Sequence, residues 1–277
     1  MMKKVVLITG ATSGIGYETA KLLAQNGYTV YGGGRNVEAM KPLEEHGVVS
    51  LKLDVTNQKS CEDAVEFVMK KEGRIDVLFN NAGYGSYGAI EVVPLEEAQK
   101  QIDVNVMGVA RMSQLVAPIM RKQKEGRIII TSSVGGRVTS YLGGWYHASK
   151  WAVESLGNSL RQELTPFGIK VSILEPSGVK TAWGGITADH LEKSGKGTAY
   201  EEISTQVANY YREMYKKEGM LMSPPEKLAK IVKKIIEAKN PKSRYQDSFA
   251  AKMSIWMGRH MSDKFMDNMM KNTVVKK

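Results

Sequence analysis

The chain has 277 residues, 42% hydrophobic and 25% charged, with 27 Gly, 8 Pro and a single Cys, the composition of an ordinary water-soluble globular protein. Roughly 75% of the unfolded surface of such a chain is buried on folding, so a full core forms without disulfides or a structural metal. The net charge is +10, yet no nucleic-acid motif of known geometry accompanies it, no apolar run approaches the ~20 residues of a membrane helix, and the apolar run Val5-Val6-Leu7-Ile8 is too short for a signal-peptide core.

In chain order, short β-branched runs at 4–8, 28–31, 48–53, 76–79, 127–131 and 170–174 read as strands. Helical periods fall between them at 14–26, 37–46, 57–71, 95–122 and 145–166. Parallel strands need crossover connections, so this alternation predicts an α/β fold: a doubly wound parallel sheet with helices on both faces, three layers in one domain. After Pro176 and Gly178 the texture changes to a Gly-rich stretch with Gly184, Gly185, Gly195 and Gly197. Helices are expected at 200–217 and 225–239 and one more short strand at 244–246. In 225–239, Lys227, Lys230, Lys233 and Lys234 alternate with Leu228, Ile231, Val232, Ile235 and Ile236, the pattern of an amphipathic helix with a solvated basic face. The expected organisation is a catalytic domain over 1–248, with a substrate lid at about 182–220, and a helical extension over 249–277. That extension repeats Met253, Trp256, Met257, Met261, Phe265 and Met269 at helical spacing. Packing against the domain is the first reading of this stripe, a substrate lid the second and contact with a membrane surface the third.

Two places carry a cofactor signal. The first strand runs into Thr9-Gly10-Ala11-Thr12-Ser13-Gly14-Ile15-Gly16 and then a helix. Glycines at such a turn let backbone approach a phosphate, and the helix N-terminus offers unpaired N–H groups and a positive dipole end. The second strand ends Gly32-Gly33-Gly34-Arg35, where a dinucleotide-binding fold reads the adenosine ribose. An acidic residue there pairs the free 2′-hydroxyl of NAD, whereas an Arg pairs a 2′-phosphate, so NADP (NADPH) is expected.

The catalytic signal begins with Tyr146 and Lys150, four apart and therefore on one helix face. A phenol titrates near 10, and an adjacent ammonium, together with the positive ring of an oxidised nicotinamide cofactor, favours the phenolate, moving its pKa toward working pH. Ser132-Ser133 ends the fifth strand, Asn80-Asn81-Ala82-Gly83 follows the fourth, and Asn105 lies in the helix after it. His147 points about 100° away from Tyr146 and reads as a spectator. His46, His147, His190 and His260 show no ligand spacing with Cys61 or one another, so no metal is expected.

Taken in register, Thr9 to Gly16, Asp54, Asn81-Ala82-Gly83, Asn105, Ser133, Tyr146, Lys150 and the segment from Pro176 to Thr181 resemble the short-chain dehydrogenase/reductase family from about residue 4 to 181. The resemblance implies a catalytic set of Asn105, Ser133, Tyr146 and Lys150. Tyr146 exchanges the proton, Ser133 holds the carbonyl oxygen, Lys150 holds the nicotinamide ribose, and Asn105 holds a water linking Lys150 to solvent. It implies cofactor contacts from Gly10, Ser13, Gly14, Ile15, Gly16, Arg35, Asp54, Val55, Asn81, Ala82, Gly83, Tyr146, Lys150, Pro176, Val179 and Thr181. One departure stands out, since the family usually has Pro-Gly where this chain has Pro176-Ser177.

Substrate class falls to the variable pieces, where Ser133, Tyr84, Tyr141, Trp145 and Trp183 are the candidate contacts, joined by Tyr87 and Leu142. An aromatic, apolar lining suits a lipophilic ketone or alcohol, and the wording of 170–181 with the long tail resembles the hydroxysteroid- and retinol-dehydrogenase-like branch. The expected activity is NADP(H)-dependent interconversion of a carbonyl and an alcohol. The alternatives are a 3-oxoacyl thioester reductase of the same family and a non-catalytic NADP-binding regulator. The expected setting is a cytoplasmic homodimer, with a tetramer as the alternative, since dimers and tetramers in the family commonly form through the helices at 95–122 and 145–166.

Overall fold

The computed structural model describes residues 3–181, 183–216 and 222–274, and of Trp183, Ile186 and Lys216 the backbone alone. Its strands are β1 (Val5–Thr9), β2 (Thr29–Gly34), β3 (Val48–Lys52), β4 (Val77–Asn80), β5 (Gly126–Thr131), β6 (Ile169–Glu175), β7 (Gly178–Val179), β8 (Met222–Ser223) and β9 (Arg244–Gln246). Seven of them form one sheet in the order β3-β2-β1-β4-β5-β6-β9, with every pairing parallel. Strand order reverses between β1 and β4, so a crevice opens beyond their C-terminal ends, where a doubly wound sheet binds its ligand. The strands predicted at the six apolar runs and at 244–246 are all present.

The helices are α1 (Gly14–Gln25), α2 (Lys41–Glu44), α3 (Gln58–Glu72), α4 (Leu95–Ile102), α5 (Gly108–Gln123), α6 (Gly144–Leu164), α7 (Trp183–Gly195), α8 (Glu201–Lys216), α9 (Pro225–Glu237), α10 (Phe249–His260) and α11 (Asp263–Val274). Two apolar cores sandwich the sheet. One joins Leu7, Leu78, Ile128 and Ile130 to Val65, Val68, Met112, Val116 and Val153 of α3, α5 and α6. The other joins Ile8, Phe79 and Ile129 to Ala20, Leu23, Leu228, Val232 and Ile236 of α1 and α9, so the amphipathic reading of 225–239 holds.

The structure corrects three local expectations. The helix expected over 37–46 is a 3-10 turn, Glu38–Met40, followed by the four-residue α2, because Pro42 lacks an N–H and restarts the turn. The run expected over 95–122 passes from α4 to α5 through a π-helical segment, Asp103–Met107. The Gly-rich stretch after 182 contains a true helix, α7, packed on α8. A Cβ at Gly184 would overlap the Tyr215 ring and one at Gly195 the Ser204 side chain, so these glycines allow close helix approach where single-residue propensity argues against a helix. The short parallel pair β7–β8, not anticipated, ties together the two ends of the segment that contains α7 and α8.

Candidate active site

The glycine turn after β1 is fastened from several sides. Gly10 and Gly14 have φ of 70° and 58°, a left-handed conformation open to glycine at little cost. A Cβ on Gly16 would overlap the Gly10 carbonyl oxygen. The Thr9 hydroxyl accepts from the backbone N–H groups of Asn81 and Ala82, both at 3.0 Å, and the Asn81 amide donates to the Gly10 carbonyl at 3.1 Å. The turn is therefore held against the end of β4. Ser13 occupies the N-cap of α1 without capping it, and no acidic residue stands in the first turn, so this end is suited to an anion.

Arg35 is exposed at the end of β2 and lines the crevice with Gly34, Asp54 and Val55. Burial acts to raise the Asp54 carboxyl, but hydrogen bonds from Thr56 outweigh it, helped by Arg35 and Arg111, and leave it below its ordinary value. The crevice offers no carboxylate at position 34 and one guanidinium beside it. These residues fit a dinucleotide that carries an additional phosphate on the adenosine side.

At the other end, Tyr146, Ser133 and Lys150 meet. Ser133 hydrogen-bonds the Tyr146 hydroxyl, while its Oγ accepts from Gly135 N at 3.0 Å. Lys150 is buried, donates to the Thr131 carbonyl at 2.9 Å and stands 5.9 Å from the centre of the Tyr146 ring. Burial pushes the Tyr146 phenol up to about 12, opposed by the Ser133 hydrogen bond. Burial also lowers the Lys150 ammonium to about 8, with Glu154 opposing. In the chain by itself desolvation outweighs the hydrogen bond from Ser133 and the phenol stands above its ordinary value; the expected lowering involves the positive ring of a bound oxidised nicotinamide as well as the ammonium.

Asn105 lies in the π segment and is buried. Its Nδ2 donates to the Tyr84 carbonyl and to Ser149 Oγ, both at 2.9 Å, and its Oδ1 accepts from Tyr84 N at 3.0 Å. A Cβ on Gly83 would lie 3.1 Å from that Oδ1 and 3.5 Å from Lys150 Nζ, so Asn105 and Lys150 share one flank of the 81–83 strand end. His147 is more than a spectator. Ser140 N–H donates to its Nε2 at 3.0 Å, which leaves Nδ1 to donate to the Gly135 carbonyl at 2.9 Å; burial lowers its pKa, so a neutral imidazole braces the loop that carries Ser133. Ser177 is anchored by Asp247, its N–H and hydroxyl donating to the two carboxylate oxygens at 2.9 and 2.8 Å. The departure from Pro-Gly thereby links the Pro176 to Thr181 segment to the end of β9.

A cavity of about 700 Å³ runs from the glycine turn past Tyr146 to the C-terminal helices. It is lined by Gly10, Ser13, Gly14, Ile15, Arg35, Asp54, Val55, Asn81, Ala82, Gly83, Ser133, Tyr146, Lys150, Pro176, Val179 and Thr181, and also by Tyr84 and Tyr141. Asn105, Gly16 and Trp145 do not reach its wall. Gly16 and Asn105 stand behind it, and the Trp183 side chain lies outside the described residues. The wall also takes in Val207, Tyr210, Tyr211, Met214 and Tyr215 of α8, within the segment expected at 182–220 but not singled out there, and Ala250, Ala251 and Ser254 of α10 with Met269, Met270, Thr273 and Val274 of α11, of which the sequence singled out Met269 alone. The spacing of 207, 210, 211 and 214 marks a single helix face, a signal available in the sequence. The Met-rich stripe is accordingly not core as first read. Met269 joins the cavity wall, whereas Met253, Trp256 and Phe265 are exposed. Among the described residues, no group of three or more His, Cys, Asp or Glu is arranged to hold a metal ion.

Behind Lys150, Glu154 and Glu175 are buried between Arg137 and Arg244; Arg244 lies 3.0 Å from Glu154 and 3.3 Å from Glu175. Burial and Glu154 push the Glu175 carboxyl well above its ordinary value of 4.5. A raised carboxyl pKa stabilises the fold below the unfolded value, and that stability is lost as pH rises through the folded value. The melting temperature is expected to fall by several degrees between pH 5 and pH 8. Glu175→Gln should flatten this slope, as thermal melts in a pH series would show.

Residues 4–190 match the family model described as short chain dehydrogenase. The 3-ketodihydrosphingosine reductase of Bacteroides thetaiotaomicron is 39% identical over 247 residues, 88% of this chain and 87% of that protein. A short chain dehydrogenase/reductase from Burkholderia phymatum, solved in complex with NAD, superposes with a TM-score of 0.79 at 26% identity, covering 92% of each chain. An alcohol dehydrogenase from the archaeon Thermococcus sibiricus, complexed with 5-hydroxy-NADP, superposes with a TM-score of 0.71 at 26% identity, covering 88% of this chain and 96% of that one. Both cofactor types thus occur among solved neighbours, and neither helix nor sheet geometry discriminates between them.

Proposed function

The chain belongs to the short-chain dehydrogenase/reductase family, and on that premise we propose that it is an NADPH-dependent reductase of a lipophilic ketone, with Tyr146 as proton donor. The observation that carries this reading is the buried phenol of Tyr146, hydrogen-bonded by Ser133, at the junction of an anion-ready crevice and an apolar cavity. NADPH supplies a hydride from its nicotinamide when bound. Ser133 fixes the substrate oxygen beside Tyr146, whose hydroxyl gives its proton to that oxygen as negative charge develops there. Lys150 holds ribose hydroxyls, and Asn105, acting behind it through the Tyr84 backbone and Ser149, is a positioning residue. Arg35 pairs the 2′-phosphate; Asp54, Val55 and Asn81 stand along the adenosine, and Val179 and Thr181 along the carboxamide.

The substrate end is aromatic and apolar. Tyr87 and Tyr211 surround Tyr146, with ring centres 5.4 Å between Tyr87 and Tyr146 and 5.6 Å between Tyr87 and Tyr211, and Met214, Met269, Met270 and Val274 add apolar lining to the same cavity. A carbonyl beside Ser133 and Tyr146, with an alkyl body along that lining, suits this site better than a uniformly polar substrate. The Bacteroides relative, named for a ketone of that construction, supports the long-chain class over steroids and retinoids. Exposed Met107 and Trp151, next to α5 and on α6, support a homodimer through those helices, and dependence on NADPH fits a cytoplasmic setting.

The test is NADPH and NADH oxidation with 3-ketodihydrosphingosine, steroid ketones, retinal and 3-oxoacyl thioesters. NADPH-dependent turnover highest on the long-chain ketone is the expected result. Preference for thioesters would replace the substrate class, and cofactor binding without turnover on any of them would favour the regulator.

A further inference from the structure

We propose that the outer face of α10 and α11 docks the protein on an anionic phospholipid surface, placing the cavity mouth against the bilayer. The inference deepens the lipophilic-substrate reading and rests on it for its purpose. Phe249, Met253 and Trp256 of α10 are 75%, 40% and 49% exposed, and Phe265 of α11 is 48% exposed. Their spacing of four and three puts the α10 residues on one face. The ring of His260 continues that face, stacked on Trp256 with centres 4.9 Å apart. The opposite face is buried through Ala251 and Ile255, and Gly258 packs on Val138. The aromatic face is therefore not an unfolded remnant but the outer side of a seated helix.

Two further observations select the occupant. Residues 249–277 carry six basic and two acidic residues, and Lys252, Arg259 and Lys264 are exposed among the apolar side chains. A second copy of the chain in an isologous contact would set this positive patch against itself, whereas anionic headgroups complement it. The inner sides of the same two helices also line the cavity, through Ala250, Ala251 and Ser254 and through Met269, Met270 and Thr273. A lipophilic substrate held in the bilayer would then reach the cavity without crossing water. No helix of the described residues is long and apolar enough to span a membrane, so the contact is with the surface.

The experiment is flotation of the full chain with vesicles of phosphatidylcholine alone or mixed with phosphatidylglycerol, run beside turnover of a short, water-soluble ketone. Binding to the mixed vesicles is expected, and it should weaken about tenfold in Met253→Ser/Trp256→Ser and again at high salt. Soluble-ketone turnover and melting temperature should stay unchanged in that variant, since neither residue touches the cavity. Absence of flotation, equal flotation of the variant, or a drop in the oligomeric state of the variant would overturn the proposal, the last by assigning the face to a second copy. Flotation without turnover would instead refute the reductase reading and leave the docking intact.

Discussion

Replacing Tyr146 with Phe is expected to lower kcat for carbonyl reduction by roughly a hundredfold to ten-thousandfold, the usual contribution of a positioned general acid, with little change in NADPH affinity. The substitution removes one oxygen and leaves the ring, which packs between Tyr87 and His147 at centre distances of 5.4 and 5.7 Å. The fold and the loop carrying Ser133 should therefore survive, and melting temperature serves as the control. Water cannot readily replace the lost donor, because Tyr146 sits in a cavity walled by Tyr87 and Tyr211. Burial holds the Tyr146 phenol up at about 12. Lys150, lowered to about 8, loses its charge first on the alkaline side, so the wild-type kcat/KM should decline as pH rises through about 8. Single-turnover kinetics with NADPH, compared with equilibrium titration of the cofactor, would separate loss of chemistry from loss of binding.

The architecture was legible because its signals are periodic. Six apolar runs separated by helical periods admit few topologies, and the glycine turn at 10–16 marks which strand comes first. Tyr146, Ser133 and Lys150 were legible as chemistry because their spacing along helix and strand end translates directly into proximity. What escaped depends on contacts between distant segments. The role of His147 requires Gly135 and Ser140 to fold back over it, and the buried Glu154–Glu175 pair requires β9 to deliver Arg244. The burial of Tyr146 was hidden for a related reason: neighbouring charge can be read from sequence, but the depth of burial that raises the phenol in the chain by itself cannot. The helix α7 was hidden by its glycines, whose purpose appears only when Tyr215 and Ser204 are packed against them. Likewise the Met-rich stripe reads as core by period alone, and only the fold shows that its two sides face a cavity and the outside.

Cofactor choice offers the second large effect. Arg35→Asp is expected to move the ratio of kcat/KM for NADPH over NADH by on the order of a hundredfold to ten-thousandfold toward NADH, since hydrogen bonds to charged groups contribute about 1.5–3 kcal/mol and each 1.4 kcal/mol is tenfold. Two terms add. The guanidinium proposed to pair a 2′-phosphate is removed, and a carboxylate takes its place that would repel the phosphate and accept from a free 2′-hydroxyl. The neighbouring position cannot accomplish the same exchange. A Cβ at Gly34 would overlap the Thr12 methyl group, so an acid there must first displace the glycine turn. Arg35 is exposed and has no such constraint, although it also helps keep the Asp54 carboxyl low. Asp54 keeps its hydrogen bonds from Thr56 at 3.0 and 2.7 Å, so the variant should retain its fold and its kcat with saturating NADH. If the ratio moved by less than tenfold, Arg35 would be a surface residue beside the ribose, and discrimination between the two cofactors would have to lie elsewhere in the crevice.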